Sequence, residues 1–253
     1  MVFEREEKIK SFVPREYYTF EAVVDGIRFN CGESEYNFTK AEKFVSDNKN
    51  KTINFDKVEV KIKTSIPKPL YNLTDIQQAA SALFGLSPKQ TLNIIQRLYE
   101  SHKILTYPRT DSRYLTTDMK NTLADRLRAI GGDYKEITAK LLREKDFNTK
   151  RIINNSKVSD HHAIIPTEQK PNYMSLFDTE LKIYNLVVKR FLENLLPDYK
   201  YEETSYSFKL DNKVFTAKST KVIQFGFKEL SRSEIEDKKI SFSTKEFSLD
   251  SLQ

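Results

Sequence analysis

Cysteine occurs once in the 253 residues, as Cys31, so no internal disulfide can form. Histidine is nearly as rare: with only His102, His161 and His162 available, a structural zinc site would consume almost every ligand, and none is expected. The six glycines, Gly26, Gly32, Gly85, Gly131, Gly132 and Gly226, form neither the dinucleotide fingerprint nor the phosphate-cradling P-loop. A nucleotide-driven engine is therefore not expected within this span. No stretch approaches the ~18 consecutive apolar residues of a spanning helix, and the start, MVFEREEKIK, lacks the apolar core of a signal peptide. The expectation is a soluble cytoplasmic chain with no membrane partner. What remains is ample for folding: 38% hydrophobic residues, with 17 Phe and 13 Tyr, supply cores.

The net charge of +6 is modest, but its placement is uneven. Residues 87–128 hold Lys89, Arg97, Lys103, Arg109, Arg113, Lys120, Arg126 and Arg128 against Glu100, Asp111, Asp118 and Asp125, a surplus of four. On charge alone this is a solvated helical face or a phosphate-binding one.

The first third reads as strands. Residues 17–24 and 27–31 flank Asp25-Gly26, a dipeptide suited to the positive φ angles of a type I′ hairpin turn. Val58, Val60 and Ile62 alternate with Glu59, Lys61 and Lys63, the pattern of a strand with one wet face, until Pro67 and Pro69 interrupt it. From Leu73 the apolar spacing becomes helical. Thr74 with Gln77, and Ser87 with Gln90, read as capping boxes, with Pro88 where its missing N–H is harmless. The first helix points Ile76, Ala80 and Leu83 inward and stops at Gly85, the second points Leu92, Ile95 and Leu98 inward, and the pair resembles a helix-turn-helix. Further helices are expected over 117–130, over 134–143, and from a cap at Asp178 with Leu181, Tyr184, Val188, Phe191 and Leu195 inward. Beyond Pro197 strands return over 201–210, 213–218 and 222–230. Two short β segments at opposite ends would each be marginal alone, so one β-rich domain interrupted by a helical domain is the economical arrangement. Residues 231–253 read as a charged tail and 1–10 as the end of a preceding helix, edges that an excised piece or a natural tail would both show.

Residues 103–117, KILTYPRTDSRYLTT, carry the strongest chemical signal. Ile104-Leu105 delivers Tyr107 next to Pro108, whose ring keeps Tyr107 out of the α region. Arg109, Thr110, Asp111 and Ser112 follow, a cation and three side chains that accept hydrogen bonds. A phenol, with its ordinary pKa near ~10, attacks well at neutral pH only where a cation stabilises the phenolate, and a guanidinium also forks onto phosphate. Taken alone, this pattern marks a structural tyrosine more often than a nucleophile.

Tyr107-Pro108-Arg109-Thr110-Asp111-Ser112 resembles the active-site motif of type IA DNA topoisomerases: a tyrosine, any residue, then Arg-Thr-Asp-Ser. Asp160-His161-His162-Ala163-Ile164-Ile165-Pro166-Thr167 resembles the family's histidine motif, in a form most similar to bacterial topoisomerase III. EREEKIKSFVPREYY and LTDIQQAASALFGLSPKQTLNIIQRLYE are similar to segments that precede the tyrosine in that family. The likeness covers nearly all of residues 1–230. His102-Lys103 stands where relatives have a glycine, a departure in the loop and not in the chemistry.

The resemblance implies an α+β multidomain fold: a β-rich gate domain made of residues 1–66 and 199–253, with a helical domain, 67–198, inserted and carrying the tyrosine. Hinges would lie near Pro67 to Pro69 and near Pro197. It implies that Tyr107 attacks a phosphate of single-stranded DNA and holds the 5′ end as a phosphotyrosine, with religation that needs no ATP. Arg109 would position the phosphate, and His161 would assist cleavage, a role suited to an imidazole. Thr110, Asp111, Ser112, Lys103 and Arg113 would contact DNA or fix the loop, with an Asx-type cap as the competing role for the loop residues. His162 is expected to face away from His161. The family's magnesium-binding acidic triad and its assisting lysine belong to an N-terminal Toprim domain. Glu234, Glu236 and Asp237 read as solvated residues and no counterpart of the triad, so an incomplete, nucleoid-associated enzyme is expected, with no metal site of its own. The alternative is a non-catalytic nucleic-acid-binding module that docks the helix pair in a groove and stacks Tyr107 on a base.

Overall fold

The structure, a computed structural model, describes residues 2–49, 51–145, 147–234 and 246–252. The chain divides into two compact units, Met1–Lys63 with Tyr201–Ile223 and Glu236–Gln253, and Thr64–Lys200 with Gln224–Ile235. No described helix is long and apolar enough to cross a membrane.

The first unit contains α1 (Val2–Lys10), β1 (Tyr18–Val24), β2 (Ile27–Glu35), α2 (Phe38–Asn48), β3 (Thr52–Asn54), most of β4 (Lys57–Ser65) and β5 (Tyr199–Leu210), β6 (Lys213–Gln224) and β7 (Glu246–Leu252). The strands form one sheet in the order β3-β7-β1-β2-β6-β5-β4. Asp25 and Gly26 take φ of 51° and 71°, as the hairpin reading requires, and β1 pairs antiparallel with β2 from Val24↔Ile27 outward. Phe20, Phe29, Phe208 and Phe215 fill the core, with Phe208 and Phe215 stacked at 5.3 Å.

Three expectations for this unit change. The first third is not strands alone, because α2 interrupts it: the Asn37 side chain accepts from the Lys40 amide, and Asn48 donates to Asp211 at 2.8 Å, tying the helix to the β5-β6 turn. The alternation on β4 does not bury an apolar face. Val58, Val60 and Ile62 remain more than half exposed, as befits the last strand in the sheet order. Residues 246–252 of the supposed tail form β7, antiparallel to β1 and β3, whereas Glu236 and Asp237 lie outside the described residues.

The second unit is helical: α3 (Leu73–Phe84), α4 (Pro88–Glu100), α5 (Leu123–Ala129), α6 (Lys135–Glu144) and α7 (Asp178–Leu195) surround one core. The Ser87-Gln90 capping box forms in both directions, and Gly85 ends α3 in the left-handed region. The Thr74-Gln77 box does not form. Asn72 caps α3 instead by accepting from the Asp75 amide at 2.8 Å, and Leu83, expected inward, is exposed. On α7 the cap is reciprocal to expectation: the Phe177 amide donates to the Glu180 carboxylate, and Asp178 is the first helical residue. The helix read over 117–130 begins as a 3-10 turn, Thr117–Thr122. The strand read over 222–230 stops at Gln224. Gly226 then turns with φ 50°, Phe227 donates to the Pro197 carbonyl, and Phe227 and Leu230 pack on the helical core, so this segment belongs to the helical unit.

Candidate active site

Helix α4 ends against a tight return. Lys103 adopts φ 57°, the Ile104 amide bonds Leu98 O at 3.0 Å, and Ile104 and Leu105 are buried, which brings the chain back toward the last turn of α4 as Tyr107 is reached. The histidine segment is laced to this strand: the Thr106 amide donates to Ile165 O and the Thr167 amide to Ile104 O, each at 3.0 Å. On its other edge Ile164 N donates to Tyr71 O at 2.8 Å and Ala163 N to Tyr114 O at 3.0 Å. The buried Arg126 fixes the far end, donating to Pro166 O and pairing with Glu168.

Within this frame the Tyr107 ring lies 4.3 Å from the His161 ring between centroids, and 5.5 Å from Tyr99, edge-on at 79°. Tyr107 is half-buried, and among the described residues its hydroxyl makes no hydrogen bond. The ring borders an open pocket of about 590 Å³, shared with Lys103, Glu100, His162 and Thr167. Thr110 and Ser112 are buried and their hydroxyls are engaged: Thr110 donates to His161 O at 2.8 Å, and Ser112 to Lys157 O at 2.8 Å. They fix the loop, and this geometry offers no hydroxyl of theirs to phosphate. Arg113 is likewise occupied, by a two-pronged bond to Asp75. Arg109 and Asp111 are exposed, and among the described residues neither side chain has a partner.

A family model described as DNA topoisomerase matches residues 1–250. The DNA topoisomerase 3 of Staphylococcus haemolyticus is 43% identical over 233 residues, 91% of this chain and 33% of that protein. The Bacillus cereus protein of the same name is 40% identical over 255 residues, 97% of this chain and 35% of that one. The chain belongs to the type IA DNA topoisomerase family. It spans about a third of the length of these relatives. The full-length topoisomerase I of Thermotoga maritima shares its fold, with a TM-score of 0.73, 23% identity, and coverage of 99% of this chain and 42% of that one.

For this topoisomerase-family chain, the structure brings Tyr107 and His161 into ring contact and Lys103 to the same pocket. His162 lines the pocket that Tyr107 borders, whereas His161 does not line it and meets Tyr107 by ring contact; Ile164 and Pro166 of this segment pair with Tyr71 and Leu105 as isolated bridges. The His162 Nδ1 lies 2.8 Å from Ala163 O, which can only accept, so Nδ1 carries the proton. Burial pushes the His162 imidazole below its ordinary value, aided by Arg126 and His161 and opposed by the Ala163 carbonyl and Asp118. The basic surplus of residues 87–128 is also less free than the count suggests. Arg97 pairs with Glu180, Arg113 with Asp75, Arg126 with Glu168 and Arg128 with Asp125. That leaves Lys89, Lys103, Arg109 and Lys120 without an ion pair among the described residues.

The sequence reading missed Tyr99, Thr106, Asn72 and Arg126. Tyr99 carried a visible signal, an aromatic in the last helical turn before the motif; the others act through backbone carbonyls, and no pattern of side chains announces that.

Proposed function

We propose that Tyr107 is the nucleophile of a single-strand DNA cleavage and religation reaction. The observation that carries this reading is a phenol whose hydroxyl is unengaged among the described residues, held against His161 at the edge of an open pocket within a Tyr-Pro-Arg-Thr-Asp-Ser motif. The phenolic oxygen attacks a backbone phosphorus and the P–O3′ bond breaks. The 5′ end stays on Tyr107 as a phosphodiester and the 3′ oxygen leaves with a proton. Because one phosphodiester replaces another, the reverse attack by the 3′ hydroxyl reseals the strand without ATP, and another strand passes while the gap is open. Arg109, exposed two residues on and without a partner among the described residues, supplies the cation for the phosphate. His161 sits where an imidazole can orient the phenol or move its proton.

Among the described residues no three His, Cys, Asp or Glu side chains come together as a metal site. Every step above is written on the chain's own side chains. In this reading the cation and the grip on the other DNA end come from a Toprim domain, in the same polypeptide or added to it.

The groove-docking alternative fares worse. Helix α4 buries Thr91, Ile95 and Leu98, and its Arg97 is paired to Glu180, so Lys89 is the one cation on that helix left unpaired among the described residues. The test exchanges residues 1–253 for the matching third of the Bacillus cereus relative and follows relaxation of supercoiled DNA. Activity that disappears in Tyr107→Phe while DNA binding persists supports the nucleophile; activity retained by Tyr107→Phe refutes it.

A further inference from the structure

We propose that Tyr99 is a positioning residue for the Tyr107 phenol, fixing the direction in which its oxygen points; this rests on the reading of Tyr107 as the nucleophile. Pro108 restricts the backbone before it but leaves the side-chain torsions of Tyr107 free, and a half-exposed ring that changes rotamer carries its oxygen several ångströms away. In-line attack demands placement to within a fraction of that. Something must therefore hold the ring. His161 is one neighbour, at 4.3 Å, but His161 rides on an irregular segment, whereas Tyr99, though also exposed, stands on a helix.

Tyr99 is the better-anchored neighbour. It stands on the last turn of α4 beside the fully buried Leu98, on a helix that also buries Thr91 and Ile95 and is cross-linked to α7 by the Arg97-Glu180 pair. The return through Lys103, closed by the Ile104 amide on Leu98 O, brings the chain back to that same turn. The resulting contact, centroids 5.5 Å apart and planes at 79°, sets the positive edge of one ring on the negative face of the other, an arrangement with a preferred direction. Among the described residues the Tyr99 hydroxyl has no hydrogen-bond partner, so the ring alone makes the contact.

Two measurements test this on Tyr99→Phe and Tyr99→Leu, with circular dichroism confirming the fold. In the full chain with isotope-labelled tyrosine, the Tyr107 ring resonances, assigned through Tyr107→Phe, should shift in Tyr99→Leu and hold in Tyr99→Phe. In the chimera with the Bacillus cereus relative, single-turnover cleavage at saturating oligonucleotide should fall roughly three- to tenfold for Tyr99→Leu, the factor one aromatic pair allows. Tyr99→Phe should cleave at the parent rate, and oligonucleotide affinity by fluorescence anisotropy should be unchanged in both. Unmoved Tyr107 resonances in Tyr99→Leu overturn the proposal. So does an affinity loss equal to the rate loss, which would mean that Tyr99 stacks on a base, and so does a Tyr99→Phe variant as slow as Tyr99→Leu. If Tyr99→Leu unfolds, Tyr99→Met keeps the apolar volume and carries the same test. Cleavage that survives Tyr107→Phe sinks the nucleophile reading, while the resonance shifts report on ring placement independently.

Discussion

One buried oxygen, the hydroxyl of Thr110, joins the tyrosine loop to the histidine segment: it donates to His161 O and accepts from the Ser112 amide at 3.1 Å. Thr110→Val keeps the shape and removes both bonds, leaving the part-buried His161 carbonyl and the buried Ser112 amide unpaired. That should destabilise the chain by about 1–3 kcal/mol in urea unfolding, with Thr110→Ser closer to the parent. A second residue-scale prediction concerns pH. Burial holds the folded-state value of His162 below that of the unfolded chain, so between about pH 6.5 and the lower folded value the unfolded chain binds more protons. Stability should thus be intact above about pH 6.5 and decline as the pH falls through that window. Urea midpoints compared at neutral and mildly acidic pH should show a steeper acid-side loss for the parent than for His162→Gln. At this scale the motif itself was legible, because Tyr107, Arg109 and His161 are chemically distinctive at fixed spacing. That Thr110 and Ser112 fix the loop was within the reading; that their hydroxyls and the Arg113 guanidinium are taken up by neighbouring carbonyls and a carboxylate was not, since that depends on what folds beside them.

Elements were read best where their punctuation is local. Ser87, Pro88 and Gln90 announce α4 and Gly85 ends α3, whereas the true cap of α3, Asn72, was overlooked in favour of Thr74 two positions later. Helix α2 was readable from Asn37 followed by Phe38, Ala41 and Phe44 at helical spacing, but the strands around it masked that period. The exposure of β4 had no local signal at all, because its place at the sheet's end depends on six other strands. The sharpest element-scale prediction concerns the turn after β6. Gly226 combines φ 50° with a backbone so close that an added Cβ would fall on the carbonyl oxygens of Pro197 and Asp198. Gly226→Ala should lower stability by at least about 2 kcal/mol, read as a drop in melting temperature, since neither backbone conformation nor space can yield cheaply.

For the molecule as a whole, a strand-rich unit and a helical unit were both legible, because the hydrophobic period changes near Leu73 and changes back after Pro197. Segment 224–235 was not, since its membership in the helical unit is decided by the contacts of Phe227 and Leu230. The family is established over residues 1–250, yet the chain spans about a third of its topoisomerase 3 relatives, so its own activity has to be measured. The most direct measurement incubates the chain with magnesium, a polypeptide bearing a Toprim domain and a single-stranded oligonucleotide labelled at its 3′ end. Denaturation reveals the labelled covalent adduct, and nuclease trimming with mass spectrometry of the tyrosine peptides then locates the nucleotide that stays attached. A nucleotide on the Tyr107 peptide, absent from Tyr107→Phe, is the predicted result; a nucleotide on another residue, or no adduct under any such complementation, would contradict it.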